Sequence, residues 1–354
     1  MALSSGATPA LALILFACGL MLAGGSPAAA TAGDSVDAAA GDRLMMGRFL
    51  RWQAAYNRSY ATAAEKRLRF EVYRRNIEHI EATNRAGNLT YQLGENQFAD
   101  LTEEEFVDMY LMKGMPTTAR RVDAAANATF ADGVVAVDAP PTVDWRTKGA
   151  VVPPKNQGPS CSSCWAFVTA ATIESVNKIK KGNLVSLSEQ QLVDCDPYDG
   201  GCNLGYFVNG YRWVIENGGL TTEAEYPYMA RRSYCARAKS THHVAAIRDY
   251  VQVPAGEANL QNAVAMQPVA AAIEAGGSMQ FYSGGVYSGQ CGTRMNHAVT
   301  VIGYGVDNAS GLKYWLVKNS WGQSWGEQGY VRMRRDVGRG GLCGIALDLA
   351  YPVV

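Results

Sequence analysis

One cysteine of this sequence, Cys164, stands where a nucleophile is expected. It opens a predicted helix over 164–181 and follows a turn at Pro159-Ser160. The unpaired N–H groups and the dipole at a helix N-terminus stabilise the thiolate, which is the reactive form of cysteine. Three other roles compete: half of a zinc site with Cys161, a redox pair with Cys161, or one half of a disulfide bridge. No second close Cys/His pair and no preceding βαβ pattern accompany these cysteines, which disfavours the first two roles.

A thiol nucleophile needs a base, and the chain contains only four histidines. His297 opens an apolar strand over 298–302, where a rigid backbone would hold its imidazole, although a histidine in such a place is usually structural. Asn319 follows the next predicted strand. Its side chain can accept the second imidazole N–H and fix the tautomer, while Trp321 shields that bond from water. The other histidines stand in a disulfide-free region or in a polar loop: His79, His242 and His243.

The distribution of cysteines divides the chain near residue 138. Residues 31–138 contain none, and we expect Cys18 to leave with a signal peptide. The seven that remain are an odd number, which in a secreted chain indicates three disulfides and one free thiol, or an intermolecular bond. They all follow residue 160: Cys161, Cys164, Cys195, Cys202, Cys235, Cys291 and Cys343.

The first thirty residues, 1–30, predict a secretory signal peptide. They contain an apolar run over 11–22, which is too short for a membrane span, and small residues up to Ala30 that suit cleavage. No later stretch is apolar for long enough to cross a bilayer. We therefore expect a secreted protein, or one delivered to a vacuole or lysosome. Four N-glycosylation sequons are present, at Asn57, Asn88, Asn127 and Asn308.

The composition is that of a globular protein. Hydrophobic residues make up 48% of the chain and charged residues 18%. Lys+Arg and Asp+Glu both number 32, so no basic surplus points to nucleic acid or to an anionic membrane. Residues up to 138 carry 13 basic and 16 acidic side chains, a net −3, and the later residues carry 19 and 16, a net +3. The two parts therefore have weakly opposite charge.

The hydrophobic pattern of the first part predicts helices. Apolar residues recur at helical spacing over 44–57 and 63–85. Thr102 followed by Glu105 is a capping-box signature for a third helix. Residues 114–138 lack periodicity and are predicted to form a linker.

The second part begins with helices and continues with strands. After the helix at Cys164, shorter helices are predicted from Ser188, with Gln191 three residues on, and near 209–216. β-branched, alternating segments then follow: Val244–Val253, Pro268–Glu274, His297–Tyr304, Lys313–Lys318 and Gly329–Arg334. This order predicts an α+β fold with two subdomains and a cleft between them.

The residues singled out above stand in motifs that resemble the papain family of cysteine proteases. Cys164 precedes His297 by 133 residues and Asn319 by 155, which agrees with the known signature of that family. The mature-enzyme motifs are Gln157-Gly158 with Cys161-Ser162-Ser163-Cys164-Trp165-Ala166-Phe167, then Asn296-His297-Ala298-Val299, Lys318-Asn319-Ser320-Trp321-Gly322 and Pro141-Thr142-Val143-Asp144-Trp145-Arg146. Two upstream motifs are similar to those of the family's inhibitory propeptide: Glu65-x3-Arg69-x3-Tyr73-x2-Asn76-x3-Ile80-x3-Asn84 and Gly94-x-Asn96-x-Phe98-x-Asp100.

The resemblance implies a cysteine endopeptidase made as a zymogen. Cys164 would attack the peptide carbonyl and form a thioester, His297 would transfer the proton, and Asn319 would orient His297. The Gln157 side-chain amide and the Cys164 N–H would stabilise the oxyanion. The implied disulfides are Cys161–Cys202, Cys195–Cys235 and Cys291–Cys343. The alternative is a catalytically silent homologue that acts as a binding or storage protein.

The implied fold is papain-like, with a helical left half, a β-barrel-like right half and the cleft between them. A helical inhibitory propeptide over 31–138 would precede a peptidase domain over 139–354. The expected partners are protein substrates and the propeptide itself, the expected state is a monomer, and no cofactor or metal is indicated. Acid is expected to release the propeptide by protonating Asp100 and other carboxylates that pair with the basic mature part.

Substrate contacts are also implied by the resemblance. The residues are Gly205, Tyr206, Phe207, Ala272, Met295, Trp321 and Asp348. The mainly apolar pocket for the second residue before the scissile bond would favour Leu, Phe or Val. Asp348, if it lies at the base of that pocket rather than in solvent, would also admit Arg or Lys.

The sequence departs from the family pattern around the cleft. Pro159 and Ser160 stand where one residue is usual, Ser162 replaces a Gly beside the nucleophile, and Leu204 replaces another Gly. A Ser in place of a conformationally required Gly would add strain or shift Gln157. Leu204 would narrow the groove.

Overall fold

The computed structural model describes residues 32–87, 89–115, 129–130 and 138–354. The predicted signal peptide over 1–30 and most of the predicted linker over 114–138 lie outside these residues. The chain divides into two units, Met1–Arg48 and Phe49–Val354, and the contacts discussed below all lie within the second. Among the described residues, no helix combines the length and apolar character that a bilayer crossing requires.

The described prosegment is mainly helical. Its elements are α1 (Ala32–Ala55), α2 (Ala63–Arg85), β1 (Tyr91–Leu93) and α3 (Glu103–Tyr110). The predicted helix over 63–85 is confirmed with the same bounds. The capping box is confirmed too, because the Glu105 N–H donates to Thr102 Oγ1 (3.2 Å) and the Thr102 N–H donates to a Glu105 carboxylate oxygen (3.0 Å).

Two asparagines of α2 hold the main chain of the segment that follows it. Asn76 Nδ2 donates to the carbonyls of Ala99 and Leu101, each at 2.9 Å. Asn84 donates to the Leu93 carbonyl (2.8 Å) and accepts from the Leu93 N–H (3.0 Å). Because residues eight apart share a helix face, the motif asparagines form one row that fixes residues 93–101 for contact with the peptidase.

Helix α4 (Cys164–Lys181) is the central element of the peptidase. Every residue from 164 to 177 is buried, which is typical of a helix packed on all sides. Four shorter helices follow, of which the first two pack against it: α5 (Glu189–Cys195), α6 (Phe207–Asn217), α7 (Arg237–Ser240) and α8 (Glu257–Met266). Ser188 caps α5 as predicted, since its Oγ accepts from the Gln191 N–H at 3.0 Å.

A single mixed sheet supplies the other half. It has ten strands in the described residues, one of which is β1. The others are β2 (Thr129–Phe130), β3 (Val143–Asp144), β4 (Asp249–Val253), β5 (Val269–Ile273), β6 (Tyr282–Tyr287), β7 (His297–Val306), β8 (Lys313–Lys318), β9 (Tyr330–Arg334) and β10 (Leu349–Val353), with 3₁₀ turns at Gly277–Phe281 and Leu342–Gly344. The strand order is β1-β6-β9-β8-β7-β5-β10-β4-β2, with β3 paired to β7. In the described residues the two end strands of this order do not pair with each other, so the sheet is open. The β-barrel-like half that the resemblance implied is therefore not a closed barrel. Strands β1 and β2, which both precede the residues of the expected peptidase domain, form the two edges of the sheet.

Five helices and strands of the peptidase were not predicted: α7, α8, β3, β6 and β10. Strand β6 contains Gly284 and Gly285, which weaken the sequence signal for a strand, and it is stabilised by pairing with β1 and β9 instead. Strand β10 pairs with β4 and β5. Such pairings join distant parts of the chain, so local sequence patterns do not reveal them.

The disulfides are those implied by the resemblance. Cys161–Cys202, Cys195–Cys235 and Cys291–Cys343 have Cα–Cα separations of 4.3, 4.7 and 5.0 Å. Cys164 is free and buried. Since Cys161 is bonded to Cys202, Cys161 and Cys164 form neither a redox pair nor a disulfide with each other.

Candidate active site

The thiol of Cys164 lies at the first residue of α4, beside strand β7. Its Sγ accepts a hydrogen bond from the main-chain N–H of Ala298 at 3.4 Å. The side chain is completely buried. Burial raises the pKa of this thiol to about 12, against the opposing effect of nearby main-chain N–H groups, including that of Ala298. In this precursor form Cys164 is therefore a neutral thiol.

His297 is the first residue of β7 and its imidazole is oriented by Asn319. The Nε2 of His297 and the Oδ1 of Asn319 are 2.8 Å apart. The same Oδ1 accepts from the Ser320 N–H at 2.8 Å, which identifies it as an oxygen rather than the amide nitrogen. The proton of a neutral His297 is thus on Nε2. Its Nδ1 is buried, makes no hydrogen bond among the described residues, and keeps a lone pair that can accept a proton.

Trp321 covers the imidazole. The two rings stack at a centroid distance of 4.8 Å and an angle of 29°, and Trp321 is fully buried. Burial lowers the pKa of His297 to about 4, opposed by the bond to Asn319. The imidazole is accordingly neutral in the precursor above mildly acidic pH. Burial thus favours the neutral forms of both side chains in the precursor.

Gln157 brings a side-chain amide to the same site. Its Oε1 accepts from Ser320 Oγ at 2.6 Å and its main-chain N–H donates to the Ser320 carbonyl at 2.8 Å. These bonds point Nε2 away from Ser320, and Nε2 donates to the carbonyl of Tyr110 at 2.9 Å. A prosegment carbonyl therefore occupies the donor that the sequence analysis assigned to the oxyanion.

The prosegment crosses the cleft as an extended chain after α3. The N–H of Met112 donates to the Asn296 carbonyl (2.8 Å) and that of Met115 to the Met295 carbonyl (3.0 Å). Met112 and Met115 are 2% and 9% exposed, within the same buried cluster as Cys164. These residues exclude water from the thiol, which accounts for its raised pKa.

Aromatic and amide contacts attach the rest of the prosegment beside the site. The rings of Phe98 and Phe106 meet Trp321 edge-on at 5.9 and 5.1 Å. Gln97 Nε2 donates to the Trp321 carbonyl at 2.7 Å. Asn96 Nδ2 donates to the Gln280 carbonyl at 2.8 Å. The residue that shields the base is thus also a docking point for the prosegment, a role that the sequence analysis did not assign to Trp321.

The residues of the expected specificity pocket come together in part. Tyr206 donates its hydroxyl to Asp348 Oδ1 at 2.8 Å, and the Ala272 N–H donates to the Asp348 carbonyl at 3.1 Å. Asp348 is 9% exposed, so it points into the protein rather than into solvent. Phe207 is fully buried and packs on Tyr206, with 4.7 Å between ring centroids. Met295 is half-buried and contributes its carbonyl to the prosegment bond given above.

Gly205 is the point where the wall of the cleft meets the central helix. A Cβ at this position would lie 2.4 Å from ring atoms of Trp165. Only glycine allows the main chain to come this close. Leu204, next to it, is 38% exposed and lines the cavity between this wall and residues 108–114, so it borders the groove as expected.

The departures from the family pattern are accommodated without strain. Ser162 is not among the described residues with a left-handed backbone, and Gln157 keeps its bonds to Ser320. The expected strain at Ser162 is therefore absent. Its hydroxyl instead donates to the carbonyl of Leu111 at 3.1 Å.

The expected pairing of Asp100 with the basic mature part is wrong. Asp100 accepts from the Tyr60 hydroxyl (2.8 Å) and lies 3.7 Å from Arg58, and both partners belong to the prosegment. Burial raises the pKa of Asp100, so the folded prosegment favours the protonated acid and acid does not weaken it there. Glu105 differs, because its bond to Arg69 lowers its pKa.

A buried ionic cluster beneath Asn319 was also not foreseen. Lys155 Nζ lies 2.8 Å from Glu189 and 3.6 Å from Glu174, and Lys318 lies 3.7 Å from Glu174. All but Lys155 are almost fully buried, and they join α4, α5 and β8. The members are far apart in sequence, so no motif marks them. Because Lys318 directly precedes Asn319, the cluster supports the strand end that carries the orienting amide.

Of the four sequons, two can be described. Asn57 and Asn308 are both exposed. Asn88 and Asn127 lie outside the described residues.

Comparison with known proteins agrees with this geometry. A family model described as papain family cysteine protease matches residues 139–353, and one described as cathepsin propeptide inhibitor domain (I29) matches residues 49–106. The chain belongs to the papain family. It is thus a cysteine endopeptidase made as a zymogen, and no finding supports the alternative of a silent homologue.

The similar proteins include plant enzymes and their precursors. The senescence-specific cysteine protease SAG39 of Oryza sativa subsp. japonica is 48% identical over 317 residues, which cover 88% of this chain and 91% of that protein. The structure of a recombinant stem bromelain precursor has a TM-score of 0.78 at 42% identity, covering 88% of this chain and 99% of the other. The crystal structure of the ragweed pollen allergen Amb a 11 in its proform has a TM-score of 0.79 at 39% identity, covering 88% and 94%.

Proposed function

We propose that Cys164, His297, Asn319 and Gln157 carry the peptidase reaction. Sγ of Cys164 attacks the carbonyl carbon of the scissile bond while its proton passes to Nδ1 of His297. The negative charge on the carbonyl oxygen is stabilised by the Gln157 amide and the Cys164 N–H, a contribution that reaches about 3 kcal/mol per donor. His297 then gives its proton to the departing amine, which leaves a thioester. Water, deprotonated by His297, hydrolyses the thioester and releases the thiol.

The observation that carries this proposal is the tautomer of His297. The bond between Nε2 and Asn319 leaves the Nδ1 lone pair available in the buried site. The Gln157 amide supports the proposal further, because its Nε2 already binds a main-chain carbonyl, the group that becomes the oxyanion in a substrate.

The inactive precursor is proposed to comprise a prosegment over 31–138 and a peptidase over 139–354, with removal of the prosegment in acid. The lowered pKa of Glu105 supports acid sensitivity, since a carboxylate of this kind contributes stability above its ordinary pKa and loses it as the pH falls through the lowered value. Protonated Glu105 no longer forms the ion pair with Arg69 (2.6 Å) and no longer completes the cap of α3. Asp100 is not the trigger.

The same precursor is proposed to enter the secretory pathway through a signal peptide at 1–30 and to reach the extracellular space or a vacuole. The disulfides support an oxidising compartment. Exposed Asn57 and Asn308 are the sequons at which glycan would find room. The mature enzyme is proposed to act as a monomer on protein substrates, without nucleic acid, membrane or cofactor.

For specificity, we retain the proposal that Asp348 extends an apolar pocket to Arg and Lys. Its burial and its bond to Tyr206 support a place at the pocket base. Blocked dipeptide substrates with Arg or Leu at the second position before the scissile bond test this. Asp348→Ala is expected to lose Arg cleavage selectively, and undiminished Arg cleavage would refute the proposal.

The function itself is tested by acidifying the purified precursor and recording its intact mass after iodoacetamide treatment, with Cys164→Ser as the control. The expected result is loss of the prosegment near residue 139 in the wild type only, with one alkylated thiol. A wild type trimmed by an added active protease that still cleaves no substrate would contradict the proposal.

A further inference from the structure

A second side chain of the cleft, besides Gln157, binds a main-chain carbonyl of the prosegment. Ser162 Oγ donates to the Leu111 carbonyl at 3.1 Å, and Gln157 Nε2 donates to the carbonyl of Tyr110, the residue before it. Two consecutive carbonyls, that of the last residue of α3 and that of the extended Leu111 after it, are thus bound by two side chains of the peptidase. Ser162 makes no hydrogen bond to Cys164 or His297 among those described, so it stands outside the proton-transfer path.

The backbone that carries the Ser162 hydroxyl is restrained by other parts of the peptidase. The Ser162 N–H donates to the Cys202 carbonyl at 2.9 Å, and the adjacent Cys161 is bonded covalently to Cys202. On its other side, Ser163 Oγ is 2.6 Å from the Tyr228 hydroxyl. A donor on so restrained a segment loses little conformational entropy when it binds a carbonyl.

The space in front of Ser162 is large enough for a substrate chain. A cavity of about 550 Å³ lies between the prosegment and this wall, lined on the peptidase side by Ser162, Asn203 and Leu204 and on the prosegment side by Leu111. Ser162 is only half-buried even with the prosegment in place. Once the prosegment departs, its hydroxyl faces open cleft.

We propose that Ser162 is a chain-binding residue, an anchor that binds a main-chain carbonyl of the prosegment in the zymogen and of the substrate in the mature enzyme. This inference rests on the proposed function and deepens it. Because the acceptor is a main-chain group, the anchor strengthens binding of any extended peptide without selecting a side chain. It acts on binding rather than on the chemical step, so its loss changes KM more than kcat.

The zymogen half of the proposal is tested with the full precursor at neutral pH. The rate at which iodoacetamide alkylates Cys164, followed by intact mass, reports how often the prosegment opens. Loss of one neutral hydrogen bond, worth about 1 kcal/mol, raises the open population about five-fold. Ser162→Ala is therefore expected to be alkylated about five times faster, while Ser162→Thr, which keeps the hydroxyl, stays close to the wild type. Ser160→Ala, an exposed hydroxyl two residues away, is the matched control and should not change the rate.

The substrate half is tested with the mature enzymes on a peptide of at least six residues. Ser162→Ala is expected to raise KM about five-fold with kcat changed less than two-fold, and Ser162→Thr to restore KM. Equal alkylation rates in Ser162→Ala and the wild type would overturn the inference, and so would an unchanged KM. A wild-type mature enzyme without activity would refute the proposed function instead, and the alkylation comparison would still decide the role of Ser162 in the zymogen.

Discussion

Two buried carboxyl groups beside the cleft wall, those of Asp196 and Asp199, predict that the free energy of unfolding decreases between pH 5 and pH 7. Asp199 Oδ1 accepts from the Tyr206 N–H (3.0 Å) and from Asn209 Nδ2 (3.1 Å), so it ties the segment carrying Gly205 to the start of α6. Asp196 Oδ1 accepts from the Tyr198 N–H at 2.8 Å. The second oxygen of each carboxyl is buried and receives no hydrogen bond from another group among the described residues.

The carboxyl groups of Asp196 and Asp199 influence each other's pKa, and we expect the pair to hold one proton at mildly acidic pH. Burial first, and then the charge of Asp196, raise the pKa of Asp199 to about 8. The pKa of Asp196 is raised to about 6, mainly by burial. The charge of Glu216 contributes to this increase, and the charge of Arg232 opposes it. A raised carboxyl pKa gives stability that is present at low pH and is lost as the pH rises through the folded value.

The size of the effect follows from one proton. In the unfolded chain Asp199 has an ordinary pKa near 3.8 and is ionised at pH 5, whereas the folded pair keeps its proton. One extra bound proton gives a slope of about 1.4 kcal/mol per pH unit, hence at most about 3 kcal/mol between pH 5 and pH 7. Asp199→Asn removes this slope, because an amide does not titrate while its oxygen still accepts from the Tyr206 N–H and from Asn209 Nδ2.

The assay is thermal unfolding of the precursor in a Cys164→Ser background, which prevents self-digestion. At about 2 to 4 °C per kcal/mol, Tm should fall between pH 5 and pH 7 by up to about 6 to 12 °C more in the parent than in Asp199→Asn. Asp108→Asn, which changes an exposed carboxylate, should leave the parent slope unchanged. Comparing slopes cancels the contribution of other buried acids such as Glu189. Identical slopes in the parent and Asp199→Asn would refute the shared proton.

Two further predictions concern the base and the docking of the prosegment. Asn319→Ala removes the hydrogen bond to Nε2 of His297, so the imidazole is no longer held in the tautomer that leaves Nδ1 unprotonated. In a steady-state assay, kcat of the mature enzyme should therefore fall at least ten-fold with a smaller change in KM. An undiminished kcat would contradict this. Phe106→Ala removes the fully buried ring that meets Trp321 at 5.1 Å, which costs about 3 kcal/mol or more, so the precursor should be processed in acid at least ten times faster. The exposed Leu68→Ala is its control and should process at the wild-type rate.

Local sequence signals predicted the local structure well. The cap at Thr102, the cap at Ser188 and the bounds of α2 and β8 all depend on residues within one or two turns of each other, and all agree with the structure. The orienting bond between Asn319 and His297 was expected as well, because residue type and spacing restrict the choice.

Features that depend on distant contacts were not predictable in this way. The partner of Asp100 was assigned to the wrong part of the chain, because net charge does not tell which groups meet. The position of the prosegment chain on Gln157 depends on how α3 docks, which no local pattern encodes. The glycines of β6 give it a weak strand propensity, so its sequence does not predict a strand. The strand is stabilised by main-chain hydrogen bonds to β1, which is almost two hundred residues away in sequence.

That pairing has a consequence for the enzyme after activation. When the prosegment leaves, β6 becomes the outermost strand and its main-chain groups lose their partners on β1. Bare strands of this kind recruit other chains and promote aggregation. One donor is already protected, since Glu327 accepts from the Gly285 N–H at 3.0 Å and is itself held by Arg332. The activated protease therefore carries the charged Glu327–Arg332 pair beside the strand it exposes, and such charges oppose edge-to-edge pairing of mature molecules.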